Sequence, residues 1–305
     1  MNSGNFFRRN IFAAFVVLGM LFAAVVGATV KLYTVSAEDY PSEVESQDIS
    51  KQRALEKAVK KAKKEAGVYL KTYSRTVNSE LTDDDIIAIT SNSYKIVGEP
   101  KFTRDIVKHS DETSIIVWKV NVDVQVDDSE IQSWLKRDDK EKSDIIYQTR
   151  ESNKVSEENI RQIENLRGKY NNATTQSERY SIIKQINDAD RDFLANQKLE
   201  EGNKLSYAGD SEGAIKLYNE AIELNPNYAV AYYNRGYSYL NLPGISNMSL
   251  GLKDLEKAQQ LNVNIADKGI NNDLAKKVNE KIAEGQKRLK IQLEEAYRNF
   301  PELYR

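Results

Sequence analysis

The stretch from Gly202 to Pro226, GNKLSYAGDSEGAIKLYNEAIELNP, constrains the fold more than any other part of the chain. Small residues fall at Gly202, Ala214 and Ala221, an aromatic stands at Tyr218, and Pro226 closes the run. Small side chains at these intervals let two antiparallel helices approach closely, and the aromatic fills the space between them. The proline stops the second helix, because it lacks a backbone N–H and its ring clashes with the preceding turn.

These residues occupy positions 8, 20, 24, 27 and 32 of the 34-residue tetratricopeptide repeat, which the segment closely resembles. A second, degenerate copy follows in AVAYYNRGYSYLNLP and LGLKDLEKAQQLN. There Gly236 and Tyr239 stand at positions 8 and 11, and Leu255 and Ala258 match the second helix after about three inserted residues near PGISNM. Gly251 replaces an alanine and Val263 the closing proline. Two repeats need a neighbour to cover their faces, and Leu274, Val278, Ile282, Leu289, Leu293 and Tyr297 supply a long apolar stripe for that purpose. The resemblance implies a concave peptide-binding groove made by Leu199, Asn203, Ser206 and Tyr207 of the first repeat and by Val230, Tyr233, Asn234, Tyr237, Leu240 and Asn241 of the second. In the family's chaperone-tail binders a lysine accompanies the asparagines. Here that position is Leu199, which argues against a ligand that is simply an acidic tail. The groove reading predicts that Asn203→Ala with Tyr237→Ala abolishes partner capture without lowering the melting temperature.

Composition narrows the chemistry. The 305 residues hold no cysteine and one histidine, His109, so disulfides, thiolate metal sites, cysteine nucleophiles and multi-histidine metal sites are excluded. His109 lies in VKHSDETS between two strand-like runs, where a hairpin loop is expected. With 44 basic and 46 acidic residues the chain offers no basic field for nucleic acid. No glycine-rich phosphate loop, metal motif or nucleophile elbow is present, so no catalytic, cofactor or metal residue is assigned.

At the amino terminus Arg8 and Arg9 precede IFAAFVVLGMLFAAVVGATV, twenty residues without a charge. This is an export signal, with cleavage favoured after Ala28, or a single membrane span with the bulk of the protein outside. Gly19, Ala23 and Gly27 recur every four residues, as small residues commonly do in such segments.

Residues 31–128 read as a small α+β domain. A first strand precedes ISKQRALEKAVKKAKKEAGVYLKTYS, whose Leu55, Ala58, Val59, Ala62 and Ala66 make one apolar helix face while the lysines make a solvated one. LTDDDIIAI opens a second helix with the capping box Thr82 and Asp85. In TSIIVWKVNVDVQVDD, Ile116, Trp118, Val120, Val122, Val124 and Val126 alternate with polar residues, a half-buried strand that forms a hairpin with YKIVGEPKFTRDIVKH. This order resembles the domain shared by LPP20-type lipoproteins and the amino-terminal region of flagellar assembly protein T. The resemblance implies an envelope-facing, non-enzymatic module without the lipidated cysteine, which this chain lacks.

The charged middle begins with a second capping box, Ser129 with Gln132, and Ile131, Trp134 and Leu135 can fold back on the sheet. Lys136 to Asp144 is polar throughout. Ile160, Ile163, Leu166 and Tyr170 form one stripe and Tyr180, Ile183, Ile186, Ala189 and Phe193 another, joined through NNATTQSE with a box at Thr175 and Glu178. This predicts a helical hairpin that spaces two domains, with self-association through the stripes as an alternative.

The expected architecture is thus a signal peptide or span over 1–30 and an α+β domain over 31–128 with a small antiparallel sheet and packed helices. An all-α part follows: a charged helical hairpin spacer over 129–191, two repeats over 192–263 and a C-terminal capping helix over 264–305. The expected function is a non-enzymatic, exported or membrane-anchored scaffold of the bacterial cell envelope, needing no cofactor and holding a protein or peptide segment in the groove. A self-assembling, homo-oligomeric envelope component associated with the surface or flagellum is the alternative. An envelope hydrolase using His109 or a carboxylate pair is the competing class.

Overall fold

The chain order is β1 (Val30–Asp39), α1 (Gln47–Thr76), α2 (Asp83–Ser93), β2 (Lys95–Lys108), β3 (Ser114–Asp127), α3 (Ser129–Leu135), α4 (Asp139–Asn172), α5 (Gln176–Tyr207), α6 (Ser211–Leu224), α7 (Ala229–Asn241), α8 (Ile245–Asn264) and α9 (Asn272–Asn299). The computed structural model describes residues 30–76, 81–108, 114–264 and 272–299. The expected span and His109 both lie outside them, apart from Val30. Among the described residues no helix is long and apolar enough to cross a membrane.

The three strands are antiparallel in the order β1-β3-β2. The expected hairpin is β2 with β3, and the first strand adds to β3, with Val35 opposite Val122. Val120, Val122, Val124 and Val126 are buried, as alternation requires. Ala54, Ala58, Val59, Ala62, Ala66 and Leu70 of α1 complete this core, their small side chains letting the helix lie close on β1 and β3. α1 leaves β2 as an exposed edge, interrupted by a bulge between Val97 and Lys101.

Two of the three expected capping boxes form. Thr82 accepts from the Asp85 N–H and Asp85 from the Thr82 N–H, and Thr175 and Glu178 repeat the exchange. The third does not: α3 is capped at Asp128 without a side-chain bond, and the Ser129 N–H donates to Asp127 instead.

The helical hairpin exists as α4 and α5, with Ile163, Leu166, Ile186 and Ala189 buried between them. It is not a spacer. α5 runs unbroken across the boundary expected at residue 191, because no glycine or proline interrupts it before Gly202, and the hairpin's second helix is also the first helix of the repeats. The carboxyl half of α4 and the middle of α5 are pinned to the sheet by a buried ion network. Arg53 on α1 donates to Asp39 at 3.2 Å, to Glu45, and to Asp190 of α5 at 2.5 Å. Arg167 of α4 donates to Glu45 at 2.8 Å and Asp39 at 2.9 Å, while Lys57 and Ser50 complete the ring around Asp39. Three cations face three buried carboxylates, and Lys57 also lies 3.6 Å from the exposed Glu164. Burial disfavours the charged forms of Asp39 and Glu45, yet hydrogen bonds and charge from Arg167 and the charge of Arg53 outweigh it and hold both below the usual range.

Candidate protein-binding site

The repeat helices are α5 with α6 and α7 with α8, and α9 packs beside α8 and α7 as a third inner helix. Gly202 lies against the ring of Tyr218: a Cβ there would stand 2.5 Å from Tyr218 Cε1. Tyr218, Ala214 and Ala221 are fully buried. Asp210 caps α6 by accepting from the Gly213 N–H at 2.8 Å, after Gly209 turns the chain at φ 85°. In the second repeat Gly236 and Gly251 touch backbone to backbone, a Cβ on either meeting the other's carbonyl oxygen at 2.8 Å. This explains why Gly251 replaces the usual alanine. Pro243 and Gly244 turn directly into α8, so the expected insertion lengthens a helix rather than a loop. Arg235 clamps α7 to α8 by two 2.7 Å bonds to Asp254 and reaches Asn219 of α6 at 2.6 Å.

Of the ten residues expected to face an open groove, Leu199, Asn203, Tyr207, Val230, Tyr233, Asn234 and Leu240 are buried, Ser206 and Tyr237 are half-buried, and only Asn241 is exposed. Asn203 accepts from Tyr218 Oη at 2.9 Å and from Asn234 Nδ2 at 2.7 Å, so the two asparagines are joined to each other and to the repeat core. Leu240 packs against α8 and α9 next to Gly251 and Gly285. Tyr207 belongs to the sheet-side core, its ring 6.4 Å from Trp134 and stacked with it.

The remaining cover comes from the amino half of α4, which lies along the inner face of the array. Tyr147 meets Tyr233 edge to face, centroids 5.5 Å apart. Thr149 and Ser152 stand beside Asn203, together with Asn92 of α2. Asp144 is paired with Lys277 at 2.9 Å and Lys281 at 2.6 Å, both on α9, and Lys140 with Glu284 at 2.6 Å. Lys281 Nζ also sits 4.4 Å from the centroid of the Tyr237 ring.

Residues 202–242 match the TPR repeat family. Similar curated proteins match a limited part of the chain. A Triticum aestivum protein named Hsp70-Hsp90 organizing protein is 43% identical over 68 residues, 22% of this chain and 11% of the relative. Arabidopsis thaliana Hsp70-Hsp90 organizing protein 3 is 31% identical over 104 residues, 30% of this chain and 18% of that protein. Mus musculus sperm-associated antigen 1 is 34% identical over 76 residues, 25% of this chain and 8% of that protein. The chain thus spans less than a fifth of the length of these relatives.

The TPR face carries charge chemistry that the repeat pattern does not announce. Burial lowers the tendency of Tyr237 to ionise, pushing its phenol up to about 12. Burial alone would raise Glu284, but Lys140 and Lys281 outweigh it and hold its carboxyl below the usual range. Asp144, Tyr147, Lys277 and Lys281 were not evident from the sequence. Their signals are the three-residue and four-residue intervals within each pair, which put each pair on one helix face. Among the described residues no cluster of three or more histidine and carboxylate side chains could hold a metal ion.

Proposed function

We propose that the protein is a non-enzymatic scaffold of the cell envelope whose TPR array holds a segment of a partner protein on its inner face. The observation that carries this reading is the TPR match over residues 202–242 together with the helix packing of Gly202 on Tyr218 and Gly236 on Gly251. The relatives' printed name, Hsp70-Hsp90 organizing protein, supports protein binding as the activity of such repeats. Leu199 in place of a lysine directs this array away from a simple acidic tail. Envelope placement is supported by the charge-free run behind Arg8 and Arg9 and by the resemblance of residues 31–128 to LPP20-type modules.

The test is capture of partners by proximity labelling in the native envelope. Asn203 holds two core hydrogen bonds, so the variant suited to this test is Tyr237→Ala with Asn241→Ala. The reading expects that variant to lose the captured partner while its circular dichroism shows that it stays folded. Equal capture by the variant contradicts it. A second reading, self-assembly, is favoured by the exposed carboxyl end of α9, where Ile291, Leu293 and Tyr297 are each 40% or more exposed. Recovery of only the protein itself supports that alternative.

A further inference from the structure

The inner face of the array already holds a helix. Asp144, Tyr147, Gln148, Ser152 and Val155 recur at intervals of three and four along α4 and so share one face. From Asp144 to Val155 that face spans 12 residues, roughly 18 Å of helix. Its anchors are an acid and an aromatic three residues apart: Asp144 enters between Lys277 and Lys281, and Tyr147 packs on Tyr233.

Tyr147 joins the repeat core and its neighbour Ile145 the sheet-side core, yet the contact also carries polar groups left unpaired. On α4 the Tyr147 hydroxyl, Gln148 Nε2 and Ser152 Oγ are buried without a hydrogen-bond partner in the protein, and on α7 so are the Tyr233 hydroxyl and Asn234 Oδ1. The repeat core behind it, around Ala214, Tyr218, Ala221, Leu255 and Ala258, is apolar or bonded. Buried polar groups left unpaired oppose burial, so this contact is weaker than its area suggests, and both faces suit an alternative state exposed to water or to another ligand. Resting on the reading of the array as a protein-binding surface, we infer that α4's amino half is a built-in occupant of the TPR groove. The partner it stands in for is an amphipathic helix presenting a carboxylate and an aromatic three residues apart, which enters when α4 lifts away.

The test uses the full chain and a fluorescein-labelled peptide of residues 139–156 as the probe, followed by fluorescence anisotropy. Asp144→Ala with Tyr147→Ala in the chain removes both anchors and leaves the groove side chains in place. This variant is expected to bind the peptide at least about tenfold more tightly than the wild-type chain, whose own α4 competes. A peptide carrying Asp144→Lys and Tyr147→Ala is expected to bind neither chain. If the variant keeps its circular dichroism and binds the peptide no better than wild type does, the inference is overturned. Should the Tyr237→Ala, Asn241→Ala chain still lose its envelope partner in that case, the groove reading stands and only the helix chemistry falls. Hydrogen exchange on the wild-type chain supplies a check that needs no variant. Amides of 139–155 are expected to exchange at least about tenfold faster than those of α6, and exchange as slow as that of α6 overturns the inference.

Discussion

Gly202→Ala adds one methyl group to the first repeat and tests whether the small residue is there for helix packing. The new Cβ would stand 2.5, 2.8 and 3.1 Å from Cε1, Cδ1 and Cζ of Tyr218. That ring is fully buried and tethered by its hydroxyl to Asn203, so it has no free direction in which to move. Overpacking of this kind costs about 1–3 kcal/mol, and a shift that breaks the Tyr218–Asn203 bond adds about 1 kcal/mol. Against this, alanine in a helix interior gains up to about 1 kcal/mol over glycine. The net expectation is a loss of about 2 kcal/mol, which lowers the melting temperature by roughly 4–8 °C in a chain of this size. Gly168→Ala in α4 is the internal control, since its Cβ meets nothing within 4 Å and the residue is exposed. It is expected to stabilise by about 0.5–1 kcal/mol through helix propensity alone. Both variants are read by thermal melts at 222 nm. If Gly202→Ala raises the melting temperature as Gly168→Ala does, the packing account of the repeat is wrong.

Other expectations follow from the buried charges. Arg53→Met removes one of the three cations facing Asp39, Glu45 and Asp190, leaving one buried carboxylate charge unmatched, which is expected to cost about 3–5 kcal/mol in urea melts. The lowered Asp39 and Glu45 contribute stability that is present above their unfolded values of 3.8 and 4.5 and is lost as the pH falls through their folded values. Acid melts of wild type are therefore expected to steepen below about pH 4.5, with Arg167→Met flattening that dependence. Glu56 behaves oppositely: burial first, then the charge of Glu200, raises its carboxyl to about 7, so its contribution is present below 4.5 and is lost as the pH rises through 7. Glu56→Gln is expected to stabilise the chain at pH 8 by about 1–3 kcal/mol and to change little at pH 5. A double-mutant cycle of Asp144→Ala and Lys281→Ala is expected to give a coupling of about 1 kcal/mol or more, and a coupling of zero would separate α4 from α9.

The parts legible in the sequence are those written as local periodicity. Gly202, Ala214, Tyr218 and Ala221 are all buried, as their spacing requires, and Thr82 with Asp85 and Thr175 with Glu178 cap their helices as read. The valines of β3 show their inner face through alternation. The amino half of α4 was opaque because most of its buried residues, Asp144, Gln148, Thr149, Ser152 and Ser156, are polar, and the two others, Ile145 and Tyr147, are too few to make an apolar period. The ion network joins Asp39 to Arg167 across 128 positions, a pairing that no local pattern encodes. The ten groove residues came from repeat positions alone, which place side chains on an inner face but say nothing of what covers it. Leu240 and Tyr207 were drawn elsewhere by contacts peculiar to this chain, Gly251 and Gly285 for the first and Trp134 for the second.

The central claim is that α4 occupies the inner face of the TPR array in the free protein, and a zero-length carbodiimide cross-link tests it most directly. Lys140 and Glu284 form a 2.6 Å ion pair between α4 and α9, with Lys140 largely exposed. Lys60 with Glu157 at 2.9 Å and Lys198 with Glu220 at 2.8 Å serve as controls at similar exposure away from the groove. The account predicts an isopeptide joining Lys140 to Glu284 in the monomer band, at a yield comparable with the controls and independent of protein dilution. Controls that couple while Lys140 and Glu284 do not would contradict it, leaving the groove open in the free chain.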